Sequence, residues 1–242
     1  MVDGGRRGRQ KHTIHGLFEV DVTLPRQVIR EHKARTGESL SFTAFLIACL
    51  GQAVEKNKPM QAYRDWRGRL IVFDDVYVNT LFEVEEQGRK IIRPHILQAV
   101  NRKSFGELHE EIRAFQAGHQ ASAEAGAIRW FVHLPAFIRR LSLSLLFLNP
   151  HWIKDMYGTV MMTSVGMFGS GAGWGIPVTN HTLQLTVGGI AQKPGVVQGR
   201  IEVREYLSLT ISFDHDIVDG APAARFTQQL KELIESGYGL CD

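Results

Sequence analysis

The sequence predicts an α/β two-layer sandwich in which helices cover one face of a mixed, largely antiparallel sheet. Three observations predict it. Runs that alternate between apolar and polar residues, such as 206–213, are interleaved with runs of helical spacing, such as Phe226, Leu230, Leu233 and Ile234. No internal repeat and no low-complexity linker divides the chain. A length of 242 residues, 44% hydrophobic and 22% charged, is enough to bury one large core and is ordinary for a soluble globular domain.

The elements follow in order. A strand at about 16–22 leads to a helix at 25–36, which Gly37 stops. A second helix, 42–56, carries Phe42, Phe45, Leu46, Cys49, Leu50 and Ala53 on one face. A short strand at 69–73 comes after the turn Trp66-Arg67-Gly68. Strands at 76–85 and 90–96 flank Gln87-Gly88. The helix 104–115 opens on Ser104 with Glu107 three residues later, the spacing of a capping box. Strands at 158–164, 183–191, 200–203 and 206–213 complete the sheet, and a helix at 223–236 follows.

Bulk properties exclude several classes. A net charge of +3 is too small to argue for a nucleic-acid partner, and the cluster Arg6, Arg7, Arg9 and Lys11 in the arm 1–12 reads as a solvated tail. Cys49 lies on an apolar helix and Cys241 at the terminus, so the expectation is no disulfide framework and a reducing, cytoplasmic setting. No signal peptide is visible, and the most apolar stretch, 128–149, is interrupted by Pro135, Arg139 and Arg140, so no transmembrane segment is expected. The other histidines, from His15 to His181, lack paired metal-ligand spacing, so no bound metal is expected. Gly166, Gly169, Gly171, Gly173 and Gly175 form a glycine-rich loop without the Gly-Lys-Ser/Thr of a phosphate cradle.

The candidate chemistry sits at His215 and Asp219, where a strand ends and a helix is about to begin. A histidine exchanges a proton near neutral pH, its unperturbed pKa being about 6.5. A carboxylate four residues later can anchor the turn that presents it. The string Asp214-His215-x-x-x-Asp219-Gly220-Ala221-Pro222-Ala223-Ala224-Arg225-Phe226 resembles the active-site signature of the dihydrolipoyl acyltransferase core of 2-oxo acid dehydrogenase complexes. That family shares its fold with chloramphenicol acetyltransferase, which carries a second histidine where this chain has Asp214. Segments 13–23, 40–50 and 158–169 also resemble family segments, in the family's order. The resemblance implies that the glycine-rich loop is backbone that approaches another segment closely. The resemblance spans about three quarters of the chain and fails mainly between 116 and 157.

The resemblance implies a single acyltransferase domain over 13–242, with 116–157 an atypical apolar insertion. His215 becomes the general base that takes a thiol proton, since a thiol of pKa near 8.5 is mostly protonated at neutral pH. Thr163 matches the hydroxyl that hydrogen-bonds the oxyanion, although a plain β-branched strand residue fits the position too. Asp219 is implied to hold the loop by pairing with an arginine near the N-terminus; Arg6, Arg7 and Arg9 are the candidates.

Coenzyme A or acyl-CoA is the implied substrate, and a dihydrolipoyl thiol on a separate carrier the acceptor, because no lipoyl attachment is seen in this chain. A homotrimer with active sites between subunits is implied, and a larger cage built from such trimers. Asp216 stands where the family has an arginine; it either favours the imidazolium form of His215 or faces solvent. In the insertion, Leu134, Phe137, Ile138, Leu141, Leu145 and Leu148 share a helical face. That face suits core or inter-subunit packing, a lid for a bulky acyl group, or a membrane surface. Two other readings stay open: a non-catalytic cage scaffold of the same fold, and an acyltransferase for a small hydroxylated molecule.

Overall fold

The computed structural model describes residues 11–86, 89–117, 148–166 and 171–240, with positions 8, 138 and 142. In chain order they form β1 (Thr13–Asp21), α1 (Thr23–Thr36), α2 (Phe42–Glu55), β2 (Tyr63–Arg64), β3 (Leu70–Ile71), β4 (Val78–Glu86) and β5 (Arg89–Leu97). These are followed by α3 (Phe105–Gln116), α4 (Pro150–Tyr157), β6 (Val160–Ser164), β7 (Leu183–Val197), β8 (Arg200–Asp214) and α5 (Gly220–Glu235). Six strands make one sheet in the order β1-β8-β7-β6-β4-β5, parallel at β7–β6 and β6–β4 and antiparallel elsewhere. β2 and β3 form a separate ribbon.

The predicted sandwich is therefore present, with several bounds moved. The strand expected at 69–73 shrinks to Leu70–Ile71. The strands expected at 200–203 and 206–213 are one strand, β8. Arg204 and Glu205 look like a break in the alternation, but both find partners on neighbouring elements. Arg204 Nε donates to Asp21 (2.7 Å), and Arg26 and Arg30 of α1 converge on Glu205 (3.2 and 2.9 Å). β7 likewise continues past 191 through Lys193-Pro194-Gly195. There it pairs only with β8, so Pro194 lies on an edge, where a residue without a backbone N–H is tolerated. Gln198 and Gly199, at φ 49 and 79, turn the hairpin tightly.

One face of the sheet is apolar because alternate residues of adjacent strands are: Val160 and Met162, Leu183 and Leu185, Leu207, Leu209, Ile211 and Phe213 are all buried. α2 lies over them, buried nearly all round, as its continuous apolar run requires. α5 begins at Gly220 rather than 223 and turns Ala223, Phe226, Leu230 and Ile234 inward, with Phe226 edge-on to Phe213 at 6.0 Å. Phe226→Ala should cost about 3–5 kcal/mol of stability, read from the urea midpoint. The capping box of α3 is present: Ser104 accepts from Glu107 N and Glu107 accepts from Ser104 N.

The opposite face is polar yet buried: Gln184, Thr186, Ser208, Thr210, Ser212 and Asp214 are all covered. The glycine-rich loop does part of the covering. Gly189 N donates to Gly173 O at 3.0 Å, beside the irregularity in β7 between Val187 and Ile190. A Cβ on Gly188 would run into the Gly173 carbonyl, and one on Gly189 into that of Gly171. The close-approach reading therefore holds for the loop's described part; Gly169 lies outside the described residues. Gly188→Ala should destabilise the chain by at least the ~1–3 kcal/mol of an overpacked interior, because backbone rather than a side chain must move.

The turn Gln87-Gly88 lies outside the described residues. So do Leu134, Phe137, Leu141 and Leu145 of the insertion, with Arg139 and Arg140. Ile138 and Leu148 are described and exposed. Among the described residues no helix is long and apolar enough to cross a membrane.

Candidate active site

The site is built where β8 ends. Asp214 closes the turn: its carbonyl accepts from Ile217 N (3.0 Å) and Val218 N (2.9 Å), and its Oδ1 accepts from Asp216 N (3.2 Å). The same residue is tied to the start of β7 through its own N–H, which donates to Thr182 O at 2.9 Å. His215 therefore leaves the strand in a fixed direction, and its side chain is exposed. Among the described residues, the carboxylate that anchors the turn is that of Asp214.

The strand register brings the start of the chain against this turn. Thr13 pairs with Asp214, so the residues just before Thr13 lie along the turn itself. Lys11 Nζ donates to Asp214 Oδ2 at 2.6 Å, with both side chains largely buried. The sequence expectation of a solvated tail is thus wrong for Lys11. His12 O accepts from His215 N at 2.8 Å, and His12 Nδ1 lies 2.9 Å from Asp216 Oδ1. That hydrogen bond to Asp216 raises the pKa of His12, and the same bond to His12 lowers that of Asp216. Asp216 therefore engages His12 rather than His215, and its backbone carbonyl accepts from Arg64 Nη2 at 2.7 Å. Lys11, Tyr63, Arg64, Ile153, Asn180, Asp214, Asp216 and Ile217 enclose a cavity of about 170 Å³ against the turn.

Asp219 is the N-cap of α5 through its backbone, its carbonyl accepting from Ala223 N at 3.1 Å. Its carboxylate makes no capping bond and has no ion-pair partner among the described residues. Arg6, Arg7 and Arg9, the partners expected for it, lie outside them.

Thr163 sits in β6 on the polar face of the sheet. Its Oγ1 donates to Thr186 Oγ1 at 3.4 Å, and the register continues from Thr186 to Thr210 in β8. His215 lies five residues past Thr210, so it is roughly 17 Å further along the sheet and about 10 Å across it. One copy of the chain does not bring Thr163 and His215 together.

Behind the turn, His181 is buried and stacks on Tyr157 at 4.6 Å, its Nε2 donating to Tyr157 O at 2.9 Å. Burial pushes its pKa down to about 4. The folded state then binds fewer protons than the unfolded one between that value and the ordinary 6.5. Stability is retained above 6.5 and lost as pH falls through the window, by about 3 kcal/mol at its acid end. Urea midpoints at pH 7 and pH 4.5 should show this fall, and His181→Gln should flatten it.

Burial also pushes the Cys49 thiol far up, and its Sγ faces Leu233 O at 3.7 Å, so it is no nucleophile. Cys241 lies outside the described residues. Among the described residues no group of three His, Cys, Asp or Glu side chains is placed to hold a metal ion. Sequence reasoning missed Lys11, His12 and Arg64. Pairing the first strand against the last in antiparallel register was the available signal for the first two.

Residues 149–240 match the family model described as 2-oxoacid dehydrogenases acyltransferase (catalytic domain). The lipoamide acyltransferase component of the branched-chain alpha-keto acid dehydrogenase complex of Pseudomonas aeruginosa is 40% identical over 79 residues, which is 32% of this chain and 18% of that protein. The dihydrolipoyllysine-residue acetyltransferase component of the Bacillus subtilis pyruvate dehydrogenase complex is 25% identical over 232 residues, 93% of this chain and 46% of that protein. The chain thus spans less than half the length of these relatives.

Among solved structures, a probable dihydrolipoamide acetyltransferase from Listeria monocytogenes superposes with a TM-score of 0.70 at 21% identity, covering 97% of this chain and 89% of that one. A chloramphenicol acetyltransferase gives 0.57 at 15% identity, covering 96% and 94%. These likenesses establish the fold: it is that of the acyltransferase cores and of chloramphenicol acetyltransferase.

Proposed function

We propose, for a chain whose residues 149–240 match the 2-oxoacid dehydrogenase acyltransferase catalytic domain and which folds as those cores do, that it moves an acyl group between coenzyme A and a thiol. The acceptor is a dihydrolipoyl group. The observation that carries this reading is the turn at the end of β8. It holds an exposed histidine by backbone and side-chain bonds on both sides and leaves its ring open to a substrate. A neutral ring nitrogen of His215 takes the thiol proton as sulfur attacks the thioester carbonyl. The adduct's negative oxygen accepts a hydrogen bond from Thr163 of a neighbouring copy. Collapse breaks the old carbon–sulfur bond, and the departing thiolate takes the proton back from the imidazolium.

The separation of Thr163 from His215 within one chain supports a site shared between two copies. The fold shared with the cubic core of a pyruvate dehydrogenase complex supports a homotrimer and cages built from trimers. Asp219 is assigned a structural part at the start of α5. We place the reaction in the cytoplasm, on the cysteine usage. The test is acyl transfer from acetyl-CoA, propionyl-CoA and isobutyryl-CoA to dihydrolipoamide, with chloramphenicol as an alcohol acceptor in parallel. Transfer to the thiol alone supports the reading. Transfer to the alcohol alone replaces it with acylation of small hydroxylated molecules, and no transfer from any donor by a correctly assembled protein points to a scaffold.

A further inference from the structure

We infer that Lys11 and His12 form a clamp that positions His215, the part that sequence resemblance gives to an arginine paired with Asp219. Three successive residues at the end of β8 are each held by one of these two: Asp214 by Lys11 Nζ (2.6 Å), His215 by His12 O (2.8 Å) and Asp216 by His12 Nδ1 (2.9 Å). The Lys11–Asp214 pair is the inner member, since Asp214 is only 4% exposed and Lys11 is mostly covered. A partly buried charge pair is screened far less than a surface one, and removing one partner leaves the other charge buried alone.

Asp214 is also the hub of the turn, accepting from the backbone of Asp216, Ile217 and Val218. Whatever fixes its carboxylate fixes the direction in which His215 leaves the strand. Asp219, by contrast, has no such partner among the described residues. Lys11 lies along the inner side of the turn and lines the cavity there, whereas His215 is exposed, so Lys11 acts through the turn. It is a positioning residue. His12 contributes mainly by its backbone carbonyl, so its side chain matters less than that of Lys11.

The clamp rests on His215 being the working residue only for its kinetic consequence, so it is tested by two readouts on the full chain. The first is hydrogen exchange at the His215 amide, measured by NMR. Lys11→Ala should speed it at least tenfold relative to the core amides of β8, Lys11→Arg should restore it, and His12→Ala should change it less. The second is kinetics with acetyl-CoA and dihydrolipoamide. Lys11→Ala should lower kcat about tenfold with both KM values unchanged, and Lys11→Arg should recover most of the loss.

Unaltered exchange at His215 in a folded Lys11→Ala protein overturns the clamp. A rise in KM without a fall in kcat overturns it as well, and makes Lys11 a substrate contact. If Lys11→Ala does not fold, Asp214→Asn serves instead, since it keeps the turn's shape while weakening the pair; unaltered exchange there is equally fatal. Should the wild-type chain transfer no acyl group, the exchange readout still decides the clamp, and only the proposed function fails.

Discussion

His215→Ala is expected to lower acyl transfer from acetyl-CoA to dihydrolipoamide by about 10²–10⁴-fold in kcat, the range for losing a positioned general base. Assembly and stability should be unchanged. The ring is exposed and only the backbone of His215 is built into the turn, so the substitution removes chemistry without removing a packed group. Stopped-flow or steady-state assay of thioester formation, with light scattering on the same sample, measures both. Activity within a few-fold of wild type would rule out His215 as the base.

Thr163→Val should lower kcat by about 10²–10³-fold at nearly constant KM, because an oxyanion donor acts only once the negative oxygen has formed. Valine keeps the β-branched shape of a strand residue, so a purely structural threonine would lose little. The partner hydroxyl on Thr186 is 3.4 Å away, a weak bond whose loss costs little. The two variants also test the shared site. The geometry puts Thr163 and His215 of one chain well beyond reach of a single thioester, so in the proposed site one residue comes from each of two copies. Mixed refolding of His215→Ala with Thr163→Val protein should recover part of the wild-type activity, since mixed assemblies contain some sites with both residues intact. No recovery in mixed assemblies would mean that each chain supplies both.

How much of this was legible beforehand differs by kind of feature. Continuous patterns were read well as to element type: α2, α3 with its capping box, and the strand at 206–213 are all present. Their burial was under-read: alternation at 206–213 predicts a half-buried strand and spacing in α2 one apolar face, whereas the structure covers both faces of the strand and nearly all of the helix. Features that depend on a distant partner were misread. Arg204-Glu205 looked like the end of a strand because the chain alone does not reveal Asp21, Arg26 and Arg30 waiting to satisfy them. Lys11 looked like part of a solvated tail for the same reason. A lone basic residue near a terminus has no local partner, and the one it finds is 203 positions away. Asp214 was overlooked as an anchor of the turn, because that part follows from its place at the last register position of β8.

The sequence by itself determined the class of fold, the residue types able to move a proton, and their place at a strand end. These follow from periodicity and local chemistry, which act over a few residues. Only the tertiary structure decided which groups hold His215 and whether Thr163 stands beside it. Both depend on the antiparallel register of the first strand against the last and on the order of strands across the sheet. Hydrogen bonds and ion pairs act over about 3–4 Å, so such partnerships exist only once register has brought distant segments together.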